Sequence, residues 1–414
     1  MTHTPVESRR EVSLWRNRDY VILWSGQTVS SIGSGVSELA FPLLILALTH
    51  SPAQAGFAAA VRTIPYLIFS LLAGAFVDRW NRKRTMILCD AARALVLGSI
   101  PLTFAFGLLT IWQLYFVTFI EGTLYVFFSL AEAAALPHVV EKTQLPSATA
   151  MHNATYGVAA LLGPSLGGIL YAAGRTIPFL ADALSYVASA ISLSFIRVRF
   201  EAERTWVQRS IRQEIGEGLR WLWRHPLIRY MAFLTAGLRV ANGVFLIAVV
   251  VAQRQGASST QIGLILGIGG IGATIGSLLS PLIQRRFSFG AAISGICWCA
   301  ALLFLLLVTA HTPLALALVL FILMLVGPSY DTVQFSYRLA LIPDGLQGRV
   351  NSVFRMIATT IQPLGLALTG WLLEYAGSTT TILILGGWLV LLAFITTCNT
   401  HVRSAPPLDQ AVAL

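Results

Sequence analysis

The sequence predicts an all-α membrane protein in which twelve transmembrane helices form two pseudo-symmetric halves of six helices each. Composition is the first reason: 56% of the 414 residues are hydrophobic and 11% are charged, whereas soluble domains are about 25% charged. A second reason is that apolar stretches of about 20 residues, the length that crosses a bilayer, recur along the whole chain. The third is that short patterns in one half of the chain recur in the other.

Apolar runs between charged or turn-rich breaks define the twelve predicted spans. A backbone inside lipid must satisfy its own hydrogen bonds, so each span is predicted to be helical. The first run is long and polar at its middle, which favours a span over a removable signal peptide. The predicted limits are 20–48, 55–78, 85–107, 111–136, 147–173, 177–196, 228–252, 260–284, 289–310, 313–341, 349–375 and 378–399.

Basic residues alternate strongly between successive loops. Most of the 28 lysines and arginines lie in loops on one side of the predicted membrane, whereas the loops on the other side carry Arg175 and Arg254. Because positively charged loops stay in the cytoplasm, both termini are predicted to be cytoplasmic. The net charge of +10 is therefore read as a signal of topology, and nucleic acid is not expected as a partner.

The longest polar loop, 197–227, divides the chain into an N-terminal half, 1–196, and a C-terminal half with a short cytoplasmic tail, 228–414. Arg, Glu and Trp at helical spacing predict an amphipathic helix on the membrane surface within this linker, and a solvated linker is an equal alternative for its first part. "GGILYAAG" at 167–174 faces "GWLLEYAG" at 370–377, and two shorter matches have similar offsets. Duplicated six-span halves around a midplane site are a transporter architecture.

A short charged stretch, "GAFVDRWNRKRT" at 74–85, lies between the second and third apolar runs. Its basic residues can fix topology, but that reading leaves Asp78 unexplained, because an acid weakens a positive anchor. Gly74 lies four residues earlier on the same helix face and permits another helix to approach closely. An acid beside such a contact can pair with a cation or cap a helix N-terminus, and would act as a latch if it formed in one conformation only.

This stretch resembles the loop between spans two and three of the major facilitator superfamily, with Asn81 in place of the usual Gly. The matching residues are Gly74, Asp78, Arg79, Arg82, Lys83 and Arg84. The resemblance implies that the loop closes a cytoplasmic gate in the outward-open state, with Asp78 contacting the start of span eleven.

Span five contains "GVAALLGPSLGGIL", which is similar to the antiporter motif of drug and proton exchangers in the same superfamily. Its matching residues are Gly157, Gly163, Pro164, Gly167 and Gly168. Ordinary close packing of helices is the alternative explanation of these glycines.

The resemblance covers essentially the whole chain. "WRNRDYVILWSGQTVSSIGS", "RHPLIRY" and "GRVNSVFRMI" are most similar to the bacterial exporter branch that includes macrolide efflux proteins and the enterobactin exporter. This likeness implies a multi-pass protein of the bacterial inner (plasma) membrane, a monomer in the lipid bilayer, with no resident cofactor or metal.

Ionisable residues inside spans are costly and are therefore functional candidates. The candidates for proton coupling or substrate contact are Glu38, Glu121, Asp331, Arg239 and Glu132. Burial favours the neutral form of a carboxyl group, as proton coupling requires, and the acids of spans one and four, Glu38 and Glu121, are the first choices for the proton carrier. Asp90 is instead predicted to pair with Arg93 along one helix near the interface.

Two further expectations concern the cavity. Arg62 is expected to neutralise Glu38 or Asp182 in the outer part of the membrane. The aromatic residues predicted to line the cavity are Trp24, Phe41, Tyr66, Phe127, Phe128, Phe245, Tyr330 and Phe335.

Together these features predict a secondary active exporter of hydrophobic or amphipathic small molecules (drug, macrolide or siderophore-like) that works by alternating access and proton antiport. No G-x-x-x-x-G-K loop occurs, so ATP is not expected to drive it directly. An importer or uniporter is the alternative within the same class. A non-transporting receptor and an intramembrane enzyme are the others. The enzyme would rest on His138, His152, Glu132 and Glu141, but neither H-E-x-x-H nor G-x-S-x-G occurs.

Overall fold

The structure is a computed structural model that describes residues 14–77, 79–198, 200 and 211–405. These residues form helices and no β-strand. The helices of the N-terminal half are α1 (Arg18–Thr49), α2 (Pro52–Val77), α3 (Arg82–Ala105), α4 (Ile111–Val139), α5 (Leu145–Ala173) and α6 (Ile177–Phe195). The linker and the C-terminal half contain α7 (Ile211–Arg224), α8 (Pro226–Arg239), α9 (Val244–Arg254), α10 (Ser259–Arg286), α11 (Phe289–Leu306), α12 (Pro313–Leu341), α13 (Gln347–Thr360), α14 (Gln362–Tyr375), α15 (Gly377–Cys398) and α16 (Thr400–Arg403).

Eleven spans within the described part of the chain are long and apolar enough to cross a membrane. Helix α2 adds 26 residues, about 39 Å at 1.5 Å per residue, which exceeds the ~30 Å thickness of a bilayer core. It packs between α4 and α14. The arrangement is therefore consistent with the twelve predicted spans.

Two spans predicted as continuous helices are interrupted in the structure. A 3-10 turn, Val240–Gly243, separates α8 from α9, and α13 gives way to α14 just before Pro363. Proline lacks the N–H that a continuous helix needs, which explains the second break. The two breaks lie against each other, since a Cβ on Gly365 would lie 2.6 Å from the carbonyl oxygen of Val240.

The linker helix α7 packs on the C-terminal half. The side chain of Leu222 is fully buried, and Glu217 forms an ion pair with Arg349 of α13. A Cβ on Gly218 would lie 2.7 Å from the carbonyl oxygen of Arg349, so the absence of a side chain permits this contact. The linker is thereby attached to the first turn of α13.

The two ends of the helix bundle differ in how the halves meet. The end that carries Arg82, α7 and Arg285 is called the basic face, and the end that carries Thr49 and Tyr375 is called the opposite face. Toward the opposite face, a single buried apolar cluster joins residues of both halves, such as Leu44 and Leu373. Toward the basic face, the apolar residues form two separate clusters, one confined to each half.

Glycines bring the backbones of α1, α5 and α10 into contact. A Cβ on Gly163 would lie 2.6 Å from the Cα of Gly35 in α1, and one on Gly168 would lie 3.0 Å from the Cα of Gly263 in α10. Gly167 likewise faces α1 and Gly157 faces α10. The glycine motif of α5 therefore holds this helix between one helix of each half, which is a packing role.

We predict that Gly163→Ala destabilises the protein by about 1–3 kcal/mol, because the added methyl group overpacks a backbone contact. The thermal unfolding temperature of the purified protein in detergent measures the effect. Gly98→Ala is the matched control: no atom of the described residues lies within 4 Å of the position its Cβ would take, so the higher helix propensity of alanine is expected to stabilise α3 slightly. Equal changes in both variants would contradict this account of α5.

Candidate functional site

A cavity of about 600 Å³ lies between the two halves, within the range of small-molecule sites. Its two walls differ in chemistry. The wall from the N-terminal half carries charged side chains, namely Glu38, Arg62, Arg93, Glu121 and Glu132. The wall from the C-terminal half is formed by Val244, Phe245, Leu266, Gly269, Gly270, Ala273, Leu320 and Met324. A polar wall thus faces an apolar wall.

Glu121 of α4 is held between two arginines. The Nε of Arg62 in α2 donates to its Oε2 at 2.7 Å, and the Nη2 of Arg93 in α3 donates to its Oε1 at 2.7 Å. The side chains of Glu121 and Arg93 are 3% and 2% exposed. Gly122 follows Glu121 and lies against the backbone of Arg62, which permits this approach of α4 to α2. Charge-assisted hydrogen bonds of this kind compensate the cost of burying the ions.

The guanidinium of Arg93 has further partners in the core of the N-terminal half. Its Nη1 lies 3.8 Å from Oδ1 of Asp90, and the guanidinium carbon Cζ lies 4.0 Å from the ring centroid of Tyr186. The predicted pair of Asp90 and Arg93 along one helix is therefore present, but its predicted place near the membrane interface does not agree with its burial. Both residues are buried, and Glu121 is the nearer partner of Arg93.

Arg62 lies where two cavities meet. Its Nη1 is 4.0 Å from Oε1 of Glu38, whose side chain is 57% exposed. Both residues line the central cavity and also a cavity of about 270 Å³ that extends toward the opposite face. Of the two partners predicted for Arg62, Glu38 is therefore the observed one, whereas Asp182 accepts hydrogen bonds from Ser37 and Ser185.

Glu132 lies where the central cavity meets a third cavity, of about 280 Å³, between α1, α4 and α5. Its Oε1 is 3.6 Å from Nδ1 of His152. The described residues that line this third cavity include no arginine or lysine. Glu132 and Glu121 both line the central cavity, as their eleven-residue spacing predicts.

The two candidates of the C-terminal half lie elsewhere. Asp331 of α12 and Arg239 of α8 form an ion pair of 3.5 Å, with side chains 56% and 35% exposed, and neither is among the residues that line the central cavity. Of the predicted aromatic residues, Tyr66, Phe128 and Phe245 line it. The prediction did not include Tyr125 and Tyr156, which also line it.

The basic residues that follow α2 bind carbonyl groups of the same half. Arg82 donates to the carbonyl oxygens of Ala134 and Phe200, at 3.0 and 3.1 Å, and Lys83 donates to that of Ile196 at 2.6 Å. Cations favour the carbonyl end of a helix. Asn81, which replaces the usual glycine, accepts from the backbone N–H of Arg84 at 2.9 Å and so caps α3.

Gly74 is not in contact with another described helix in this conformation, because no atom of the described residues lies within 4 Å of the position its Cβ would take. Asp78 lies outside the described residues, so its expected contact with span eleven stays a prediction. Among the described residues, no group of three or more His, Cys, Asp or Glu side chains is placed to hold a metal ion.

Residues 23–361 match the family model of the Major Facilitator Superfamily. The chain belongs to this superfamily. It is 28% identical over 395 residues to the multidrug efflux pump Tap of Mycolicibacterium fortuitum, covering 91% of this chain and 94% of that protein. It is also 28% identical to macrolide efflux protein A of Streptococcus pyogenes, over 44% of this chain and 45% of that protein.

The fold has close relatives among solved structures. A mutant of the nucleoside transporter NupG superposes with a TM-score of 0.76 at 15% identity, over 92% of this chain and 99% of that one. Superfamily membership makes this chain a multi-pass membrane transporter of small molecules and not an enzyme.

We predict that Glu121→Gln destabilises the folded protein by about 3 kcal/mol, because it leaves two arginines without their shared counter-charge. Glu38→Gln is the matched control, since an exposed pair contributes at most about 1 kcal/mol. Thermal unfolding in detergent compares the two variants. A loss of stability in Glu38→Gln as large as that in Glu121→Gln would contradict the structural role assigned to Glu121.

Proposed function

We propose that this protein is a secondary active exporter of amphipathic small molecules, driven by protons that enter as the substrate leaves. The observation that carries the proposal is the division of the central cavity into a charged wall and an apolar wall. The similarity of the chain to Tap over 91% of its length, and to macrolide efflux protein A over 44%, supports the direction of transport.

The cavity favours a substrate with a polar group on one side and an apolar body on the other. Glu38 presents an exposed carboxylate within the charged wall, whereas Phe245, Leu320 and Met324 offer apolar contacts across the cavity. A compound that lies across both walls keeps its polar group paired and buries its apolar surface. Macrolides and lipophilic cations have this character.

The distribution of basic residues supports an orientation in which the basic face lies in the cytoplasm of a bacterial cell. The apolar core is divided at that face and continuous at the opposite face. In this orientation the cavity would take up its substrate from the cytoplasmic side, as an exporter requires. An importer would release its substrate there, and the direction of flux distinguishes the two.

Charge balance favours Glu132 as the proton carrier over the two first choices. Protonation of Glu121 would leave Arg62 and Arg93 facing each other without their shared counter-charge. Protonation of Glu132 leaves no arginine or lysine unpaired, since the basic group within 4.0 Å of its carboxylate is the imidazole of His152. Glu132 can therefore be charged or neutral without disrupting the arginine network. Its position between two cavities gives it access to protons and to substrate.

Proton release from inverted membrane vesicles tests the proposal. The vesicles hold an acid interior with a pH-sensitive dye, and macrolides, lipophilic cations and catechol siderophores are added in turn. We expect one class to release protons, and we expect Glu132→Gln to reduce that release at least about tenfold, because the general acid–base group is removed. Exchange of labelled substrate across the membrane should persist in this variant, since exchange requires no net proton movement.

Glu141→Gln is the matched control, because Glu141 is an exposed acid outside the central cavity. Proton release at the wild-type rate in Glu132→Gln would exclude Glu132 as the carrier. If no compound releases protons from vesicles that hold folded protein, proton antiport of these three classes is excluded. Uptake of the radiolabelled compounds then decides whether they are transported at all.

A further inference from the structure

Glu374 connects the two halves at the opposite face. It lies in the last turn of α14, and its carboxylate accepts hydrogen bonds from the hydroxyl of Ser51 and, at 2.9 Å, from the backbone N–H of Ala53. Ala53 lies in the first turn of α2, where backbone N–H groups have no partner within the helix. A carboxylate is favourable at this positive end of the helix dipole. An acid of the C-terminal half thus caps a helix of the N-terminal half.

A contact between glycines brings this acid within reach. Gly370 lies one helical turn before Glu374, and a Cβ on it would lie 2.6 Å from the carbonyl oxygen of Pro52 and 2.8 Å from the Cα of Gly56. The backbones of α2 and α14 therefore touch directly. Any side chain at Gly370 would move α14 away from α2 and with it the carboxylate of Glu374.

The same spacing occurs at the other end of the molecule. Gly370 and Glu374 lie near the end of α14 with the spacing Gly-x-x-x-acid, and the same spacing relates Gly74 of α2 to Asp78 in the sequence. In this conformation Gly370 is packed against a helix, whereas no described residue lies against the position of a Cβ on Gly74. The packed glycine is at the face where the halves share a core, and the open one is at the face where the cores are separate.

We propose that Gly370 and Glu374 form a latch that holds the opposite face closed and that opens when the two halves separate at that face. Opening would break the two hydrogen bonds of Glu374 and the backbone contact of Gly370 together. Loss of either part should therefore shift the conformational equilibrium toward opening at the opposite face. The latch rests on the alternating access that superfamily membership implies. It does not depend on the direction of transport, the substrate or proton coupling.

Distances between spin labels on the opposite face test the latch in the full-length protein in lipid nanodiscs without substrate. Arg175→Cys and His311→Cys place one label on each half, in exposed loops, and the exposed Cys299 and Cys398 are replaced by serine. We expect Glu374→Ala to raise the ratio of long to short distances about fivefold, the effect of losing one helix cap. Glu374→Gln keeps an acceptor oxygen without the charge, so its shift should be smaller.

Gly370→Ala tests the backbone contact independently of the carboxylate and should shift the distances in the same direction. Gly387→Ala is its matched control, because no atom of the described residues lies within 4 Å of the position that a Cβ on Gly387 would take. Unchanged distances in a folded Glu374→Ala protein would overturn the proposal, as would an equal shift in Gly387→Ala. If Glu374→Ala does not fold, Ser51→Ala removes one donor to the same carboxylate and must then produce the shift.

Discussion

The carboxylate of Glu121, held between the guanidinium groups of Arg62 and Arg93, is the interaction on which the transport cavity depends. Three charges cannot stay in a low-dielectric interior unless each has a partner. The requirement that they meet fixes α2, α3 and α4 against one another, with Gly122 allowing the close approach. Arg62 makes its short hydrogen bond to Glu121, at 2.7 Å. Glu38 therefore has only a longer ion pair with Arg62, with a nitrogen–oxygen distance of 4.0 Å, and its side chain is 57% exposed. The network thus forms a rigid wall and leaves one carboxylate on it available to a ligand.

The second structural theme is backbone contact at glycines. A membrane provides no hydrophobic force that drives apolar helices together, so close packing of small residues takes that role. Gly163 and Gly167 join α5 to α1 within the N-terminal half, whereas Gly168 joins it to α10 of the C-terminal half. Helix α5 therefore belongs to both the rigid part of one half and the contact between halves. The glycines that match the antiporter motif are the ones that make these backbone contacts, and a role of the motif in antiport stays a prediction.

The sequence predicts the helices well but only part of their side-chain pairing, for a physical reason. Span length, proline and the charge of loops are local properties, so the limits of most spans agree with the structure within a few residues. Pro363 is a local signal for the break before α14. The predicted span 349–375 is continuous and does not take this proline into account. Pairing of buried charges depends on which helices are neighbours and how each is rotated. The spacing along α3 therefore predicts the pair of Arg93 with Asp90, which is present at 3.8 Å, but it does not predict the nearer pair with Glu121 on another helix, at 2.7 Å. Asp331 and Arg239 form an ion pair outside the central cavity. Their separation along the chain does not reveal this pairing.

The placement of polar contacts suits a protein whose halves must separate. Each ion pair described at the cavity joins two groups of the same half, and the contacts between the halves there are apolar or involve glycine backbone. Separation of the halves therefore leaves no buried charge without its partner. Loss of such a partner would cost several kcal/mol. The polar contact of Glu374 with α2 lies instead at the exposed end of the helices, where water can replace the hydrogen bonds once they break. Charges that stabilise one half are thus kept apart from contacts that change between conformations, and the barrier to alternation depends mainly on apolar surfaces and on contacts at the ends of the helices.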